Sequence, residues 1–427
     1  MKYICIFALI CFQINTNAQK GLKDYFPSGK YIGTAVTQNF YGISDAKIYQ
    51  QTLVNEYNIL VPENVMKFSY IQPKQGIYDF SKSDSLANFA RKHGIKLRGH
   101  TLVWHNQLPT WLTSKSWSRT ELLLIMKNHI DTLVKRYNDI VIEWDVVNEA
   151  FTDGSPVSLR SSVWRTNIGS DYIDSAFVYA RRASSNVCLF YNDYDIEQSG
   201  AKADTIFNKV KRMKEKNIPI DGVGFQFHKS FNLSEFQISN FETNIMRFAN
   251  AGFKIAFTEL DLSMSMPINT IAYPTQAYDY GRILRLFLKI PQSTSFLTWG
   301  FTDKYSWIPS FSNYTRGVAL PFDANYNKKP AYDTLRNVLS VRNSVSDTKT
   351  KNNMFEIYPN PVSNFLFINT ECNHFGIEIM DIYGRILYNP SSFDAKRTIN
   401  ISFLKSGVYF IKFKYDGKKI VYRFLKT

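Results

Sequence analysis

Short apolar runs alternate with amphipathic stretches from about residue 25 to residue 340. Eight runs read as strands, over 31–35, 59–62, 96–102, 142–147, 188–191, 222–226, 254–258 and 295–298. The segments between them are long enough to carry helices. Before the third run, Leu86, Phe89 and Ala90 recur at helical spacing, and Gly94 stands where a helix C-terminus needs a residue free to turn left-handed. Before the fourth, Leu123, Met126, Ile130 and Leu133 repeat the pattern over 122–137. Eight such units predict an α/β protein, a (β/α)8 TIM barrel, whose chemistry belongs at the C-terminal ends of its strands.

The pattern changes near Ser340. Residues 341–353 are polar and lack hydrophobic periodicity, which reads as a linker. Beyond it come shorter alternating strands at 365–369, 376–381, 399–401, 407–415 and 419–425. Turn signals at Asn360-Pro361, Tyr383-Gly384, Ser406-Gly407 and Asp416-Gly417 separate most of them. Residues 354–427 therefore predict a small C-terminal antiparallel β-sandwich domain. Phe365, Phe367, Tyr409, Phe410, Phe413 and Tyr415 partly alternate with other residues, which suits its core.

Composition changes this picture only at the margins. A formal charge of +15 would fit an acidic polymer, but the Lys and Arg residues are dispersed and no nucleic-acid motif accompanies them, so no nucleic-acid partner is expected. Residues 1–18 read as a signal peptide: Lys2 supplies the positive end, 4–12 an apolar core and Ala18 a small residue at the cleavage site. Cys5 and Cys11 leave with it, and Cys188 and Cys372 fall in different domains, so no disulfide within a domain is expected.

Two carboxylates interrupt the barrel pattern. Glu149 follows the fourth apolar run and Glu259 the seventh. An unpaired ionised carboxylate in an apolar wall costs several kcal/mol (order of magnitude) or changes its protonation. Two of them facing one cleft are what glycoside hydrolysis requires, a proton donor and a nucleophile or base.

Around them stand Glu-Asn-Val-Met-Lys (63–67), Leu-Arg-Gly-His-Thr-Leu-Val-Trp-His-Asn-Gln (97–107) and Trp-Asp-Val-Val-Asn-Glu-Ala (144–150). Further on come Tyr-Asn-Asp-Tyr (191–194), Gly-Phe-Gln-Phe-His (224–228), Thr-Glu-Leu-Asp (258–261) and Trp-Gly-Phe-Thr-Asp-Lys-Tyr-Ser-Trp (299–307). With these seven motifs in order, the 19–340 region resembles glycoside hydrolase family 10, chiefly retaining endo-β-1,4-xylanases. The resemblance implies that Glu149 is the acid/base and Glu259 the nucleophile, roughly 5–5.5 Å apart for a retaining reaction. It also implies a xylan or xylo-oligosaccharide substrate and no cofactor or metal, since two carboxylates and water suffice.

Residue chemistry agrees with that assignment. Glu259 has to be ionised to attack; His228 is a candidate donor to it, and Asp261 would orient the imidazole. Glu149 has to carry a proton, which the nearby charge of Glu259 and an apolar rim favour. At the remaining matched positions the resemblance implies that Asn148 meets the sugar 2-hydroxyl and that Glu63, Asn64, Lys67, His100 and Gln107 supply polar groups on the glycone side, with Gln226 in the motif that ends at His228. Trp104, Trp299 and Trp307 offer flat faces to sugar rings, the last two packing where a hexose would need room for its hydroxymethyl. Glu143, Asp193 and Glu197 are expected to brace strands or contact distal sugars, and His105 to sit in the barrel interior rather than to act as a ligand. Asp195 stands where many family members carry Asn, and the segment after Trp307 is short.

The tail, through Tyr-Pro-Asn-Pro (358–361), Asp-Ile-Tyr-Gly-Arg (381–385) and Leu-Lys-Ser-Gly-Val-Tyr-Phe (404–410), resembles the C-terminal sorting domain of type IX secretion substrates. It implies the type IX machinery as partner and a secreted or cell-surface location. The expectation is a monomeric, secreted endo-β-1,4-xylanase. Its alternatives are a β-1,4-glucanase or dual enzyme, and a surface polysaccharide-binding protein without catalysis.

Overall fold

The computed structural model describes residues 20–268, 272–346, 355–370, 372, 374–381, 383–390 and 398–427. The expected signal peptide lies outside them, as do residues 347–353 of the expected linker. The described chain divides into two compact units, meeting in sequence at Leu339 and Ser340.

The first unit is the barrel. Its strands are β1 (Tyr31–Val36), β2 (Ile59–Pro62), β3 (Lys96–Val103), β4 (Val141–Asn148), β5 (Cys188–Asp193), β6 (Gly222–Phe225), β7 (Lys254–Ser265) and β8 (Ser293–Thr298). Each pairs in parallel with the next, and β8 returns to pair with β1, closing the sheet. The main helices between them are α1 (Ala46–Glu56), α2 (Ser81–Lys92), α3 (Arg119–Arg136), α4 (Tyr172–Ala183), α5 (Ala201–Glu215), α6 (Glu235–Asn250) and α7 (Ala272–Lys289), and α8 (Pro330–Ser346) follows β8. Burial on α3 falls on Met126, Ile130 and Leu133 of the expected stripe, while its first position shifts from Leu123, which is only half-buried, to Leu122. The helix starts three residues before the expected point, because Ser118 and Glu121 form a reciprocal cap. At the other end of the barrel unit, α8 runs to Ser346, past the expected start of the linker; no Gly or Pro between 331 and 346 stops it.

The barrel interior carries charge. Arg98 on β3 bonds Glu143 at 2.5 Å and Asp145 at 2.5 Å, both on β4, and Ser295 on β8 donates to Glu143 at 2.7 Å. Gly99 beside it has no room for a side chain, since a Cβ would stand 2.1 Å from the Trp144 ring. Glu143 thus braces strands as expected.

Strand β7 is longer than the apolar run that announced it. Its pairing with β6 reaches Phe257, and Leu260, Leu262 and Met264 then carry it over the rim. There it gains the short strands His228–Ser230, parallel to it, and Arg316–Gly317, antiparallel. Glu259 therefore sits within β7 where the barrel proper ends, and Glu149 directly after β4.

The second unit holds two antiparallel sheets over one core. One orders β9 (Glu356–Tyr358), β10 (Phe365–Asn369) and β13 (Thr398–Asn400); the other orders β12 (Ile386–Tyr388), β11 (Gly376–Met380), β14 (Gly407–Tyr415) and β15 (Lys418–Lys426). Phe355, Leu366, Ile379, Ile411, Phe413 and Phe424 fill the space between. Of the six aromatics expected there only Phe413 is fully buried, and Phe365 is half exposed, because it lies at the first position of β10 on the outward phase. Among the described residues neither Cys188 nor Cys372 is in a disulfide.

Candidate active site

The turn out of β4 sets the first carboxylate. Glu149 adopts a left-handed backbone, φ 53°, a conformation that costs a non-glycine residue on the order of 1–3 kcal/mol and persists only when its surroundings hold it. Its backbone N–H donates to the Asn192 carbonyl on β5 at 2.9 Å. Its two carboxyl oxygens accept from Trp104 Nε1 at 2.8 Å and from Gln226 Nε2 at 2.9 Å.

Glu259 is buried and differently served. Asn192 Nδ2 donates to one of its oxygens at 2.8 Å, and His228 Nε2 stands 3.2 Å from the other. The far imidazole nitrogen, Nδ1, lies 2.8 Å from Asp261, which also accepts from Trp307 Nε1 at 2.9 Å. Burial opposes charge on His228, but the adjacent carboxylates of Asp261 and Glu259 push it up to about 10. Burial likewise works against an ionised Glu259, yet the His228 hydrogen bond and the His100 and His228 charges leave it below the usual glutamate range. Glu259 is thus held as a carboxylate by a cation behind it.

Asn148 links the two. Its Oδ1 accepts from Asn192 Nδ2 at 2.8 Å and lies 3.4 Å from Gln226 Nε2, so its own amide nitrogen is left to face elsewhere. Asn192 is the residue that sequence reading passed over. It was visible inside Tyr-Asn-Asp-Tyr, but nothing local says that one amide serves Asn148 and Glu259, with Thr258 Oγ1 fixing its oxygen at 2.7 Å.

Of the residues expected on the glycone side, Asn64, Lys67 and Gln107 are joined by hydrogen bonds. Lys67 Nζ lies 3.2 Å from Asn64 Oδ1 and 4.8 Å from the centre of the Trp104 ring, and Gln107 Nε2 donates to the same Asn64 oxygen at 3.1 Å. Burial lowers the Lys67 ammonium despite the charges of Glu259, Glu63 and Glu149, and burial raises Glu63 despite Lys67. A cavity beside them is lined by Glu63, Trp299, Tyr305 and Trp307 among others. His100 is buried, with Nδ1 3.0 Å from Asp145 and its ring edge-on to Trp299 at 5.2 Å.

Three neighbours complete the site. His105 is not in the barrel interior: it is partly exposed and edge-on to Trp104 at 5.7 Å, because it lies beyond the end of β3. Glu197 braces, accepting the Phe227 N–H at 2.7 Å and pairing with Lys229 at 2.8 Å. Asp195 pairs with the same lysine at 2.7 Å.

A closed parallel barrel with one carboxylate directly after its fourth strand and one within its seventh at the barrel rim, joined through shared amides and walled by tryptophans, defines a barrel enzyme of glycoside hydrolysis. Residues 21–338 match the family described as glycosyl hydrolase family 10, and 356–427 match a secretion system C-terminal sorting domain. The chain belongs to glycosyl hydrolase family 10. It is 41% identical over 314 residues to endo-1,4-beta-xylanase B of Thermotoga neapolitana, covering 73% of this chain and 89% of that one. With the endo-1,4-beta-xylanase of Agaricus bisporus it shares 40% over 323 residues, 75% of this chain and 92% of the relative. Among solved structures, xylanase 10B of Thermotoga petrophila RKU-1 in complex with xylobiose superposes with a TM-score of 0.73 at 39% identity, covering 75% of this chain and 98% of that one.

Proposed function

We propose that the barrel is a retaining endo-β-1,4-xylanase in which Glu259 is the nucleophile and Glu149 the acid/base. The supporting observation is the asymmetry between the two carboxylates: Glu259 is buried against a protonated imidazole, whereas Glu149 has only neutral N–H donors on its oxygens. In the first step Glu259 attacks the anomeric carbon while Glu149 gives its proton to the departing glycosidic oxygen. In the second, Glu149 takes a proton from water, which displaces Glu259 from the sugar. The free amide nitrogen of Asn148 is the donor for the 2-hydroxyl, and Trp299 and Trp307 close the wall where a hydroxymethyl would project.

Initial rates of reducing-end release on xylan and on carboxymethylcellulose test the substrate. A clear preference for xylan is expected; a preference for cellulose would make the enzyme a glucanase, and xylan binding without cleavage would make it a binding protein. The tail, by its match to a secretion sorting domain, is read as the signal that delivers the enzyme through type IX export to the medium or cell surface, and the barrel is read as acting as a monomer.

A further inference from the structure

Strand β5 carries more than Asn192. Its neighbours Tyr191 and Asp193, two residues apart and so on the same face, turn the other way and are fully buried. Tyr191 gives its hydroxyl proton to Asp193 Oδ2 at 2.6 Å. A phenol has one proton to give, so the lone pairs of Tyr191 are left to accept, and they take the backbone N–H of Ala150 at 3.0 Å. The second Asp193 oxygen lies 2.9 Å from Lys202 Nζ at the start of α5, and Lys202 also reaches Asp153 at 2.9 Å. Burial pushes the Asp193 carboxyl up to about 7 in spite of Lys202 and the Tyr191 hydroxyl.

This chain ends on the peptide that follows Glu149. Three hydrogen bonds hold the left-handed turn there: Glu149 N–H to Asn192 O at 2.9 Å, Ala150 N–H to Tyr191, and Arg160 N–H to Ala150 O at 2.8 Å. Only the middle one comes from a side chain, and that side chain is fixed in turn by a buried ion pair. We infer that Tyr191, Asp193 and Lys202 are positioning residues for the acid/base, holding the Glu149–Ala150 turn so that the Glu149 carboxyl meets the glycosidic oxygen. The inference rests on the acid/base role proposed for Glu149.

A structural role alone would damage both carboxylates and every substrate alike. A role in positioning the acid damages the first step only where the leaving group needs a proton. The test is kcat/KM for xylan and for 2,4-dinitrophenyl β-xylobioside, whose phenolate leaves unaided, in Tyr191→Phe, Lys202→Met and Glu149→Ala, with thermal midpoints beside them. Tyr191→Phe is expected to lose about tenfold to a hundredfold on xylan, the scale of a misplaced catalytic group. On the dinitrophenyl substrate its loss is expected to stay below about threefold, because that bond breaks without general acid assistance. Lys202→Met is expected to show the same contrast, smaller in size, and serves if Tyr191→Phe does not fold. Equal losses on both substrates, or no loss on either, would overturn the inference. If Glu149→Ala itself shows no contrast, the acid/base reading fails first and the inference with it.

Discussion

His228 is the residue on which the proposed division of labour between Glu149 and Glu259 turns. It lies between Asp261 and Glu259, and those two carboxylates hold its proton up to about 10 against burial. Unfolded, the same imidazole would titrate at its ordinary value of 6.5. A raised value in the folded state means that the stabilisation is complete below 6.5 and is lost as the pH rises through about 10. The thermal midpoint of the native chain should therefore exceed that of His228→Gln most at about pH 6, and the gap should narrow by about pH 10.5. A gap that widens with pH would mean that His228 is neutral in the fold. The identity of these residues was plain in the sequence, because Glu149, Glu259, His228 and Asp261 stand in dense motifs. Asn192 and the setting of His105 were not plain, because each depends on contacts across strands that no local spacing encodes.

At the level of elements, the strands supply the site in layers. β3, β4 and β8 place Arg98, Glu143, Asp145 and Ser295 in the barrel interior beneath it, and Asp145 carries His100. Replacing Arg98 with Met would leave two buried carboxylates without their cation, which costs about 3–5 kcal/mol. Urea unfolding of Arg98→Met should show a loss of that size; a change under about 1 kcal/mol would mean that the carboxylates find other partners or take up protons. The strand and helix pattern was legible because the 2-residue and 3.6-residue periods rarely conflict here. It failed at the edges. The apolar run that predicts β7 stops at Thr258, before Glu259, yet Leu260, Leu262 and Met264 carry the strand onward to pair with Arg316–Gly317. The start of α3 was hidden in the Ser118–Glu121 cap, and the end of α8 in a polar stretch that lacks any helix breaker.

On the scale of the whole molecule, the barrel and the sandwich each bury a separate core, so the catalytic unit has what it needs to fold without the tail. A chain ending at Ser346 should therefore keep the kcat/KM of the full chain in cell lysates while its activity disappears from the medium and cell surface. Loss of activity in the lysate would show that the barrel depends on the tail, and continued export would remove the sorting role. The division near residue 340 was legible from composition alone, whereas the sorting role needed the short motifs around Tyr358, Asp381 and Gly407.

The covalent step itself offers the most direct measurement. A 2-deoxy-2-fluoro-β-xylobioside with a good leaving group slows the second step more than the first, so a retaining enzyme accumulates its glycosyl intermediate. Mass spectrometry of the peptic digest should then find a single added fluoroxylobiosyl group, on the peptide containing Glu259 and on that side chain. A label on Glu149, or an enzyme that turns over xylan without ever acquiring a label, would contradict the roles assigned to the two carboxylates.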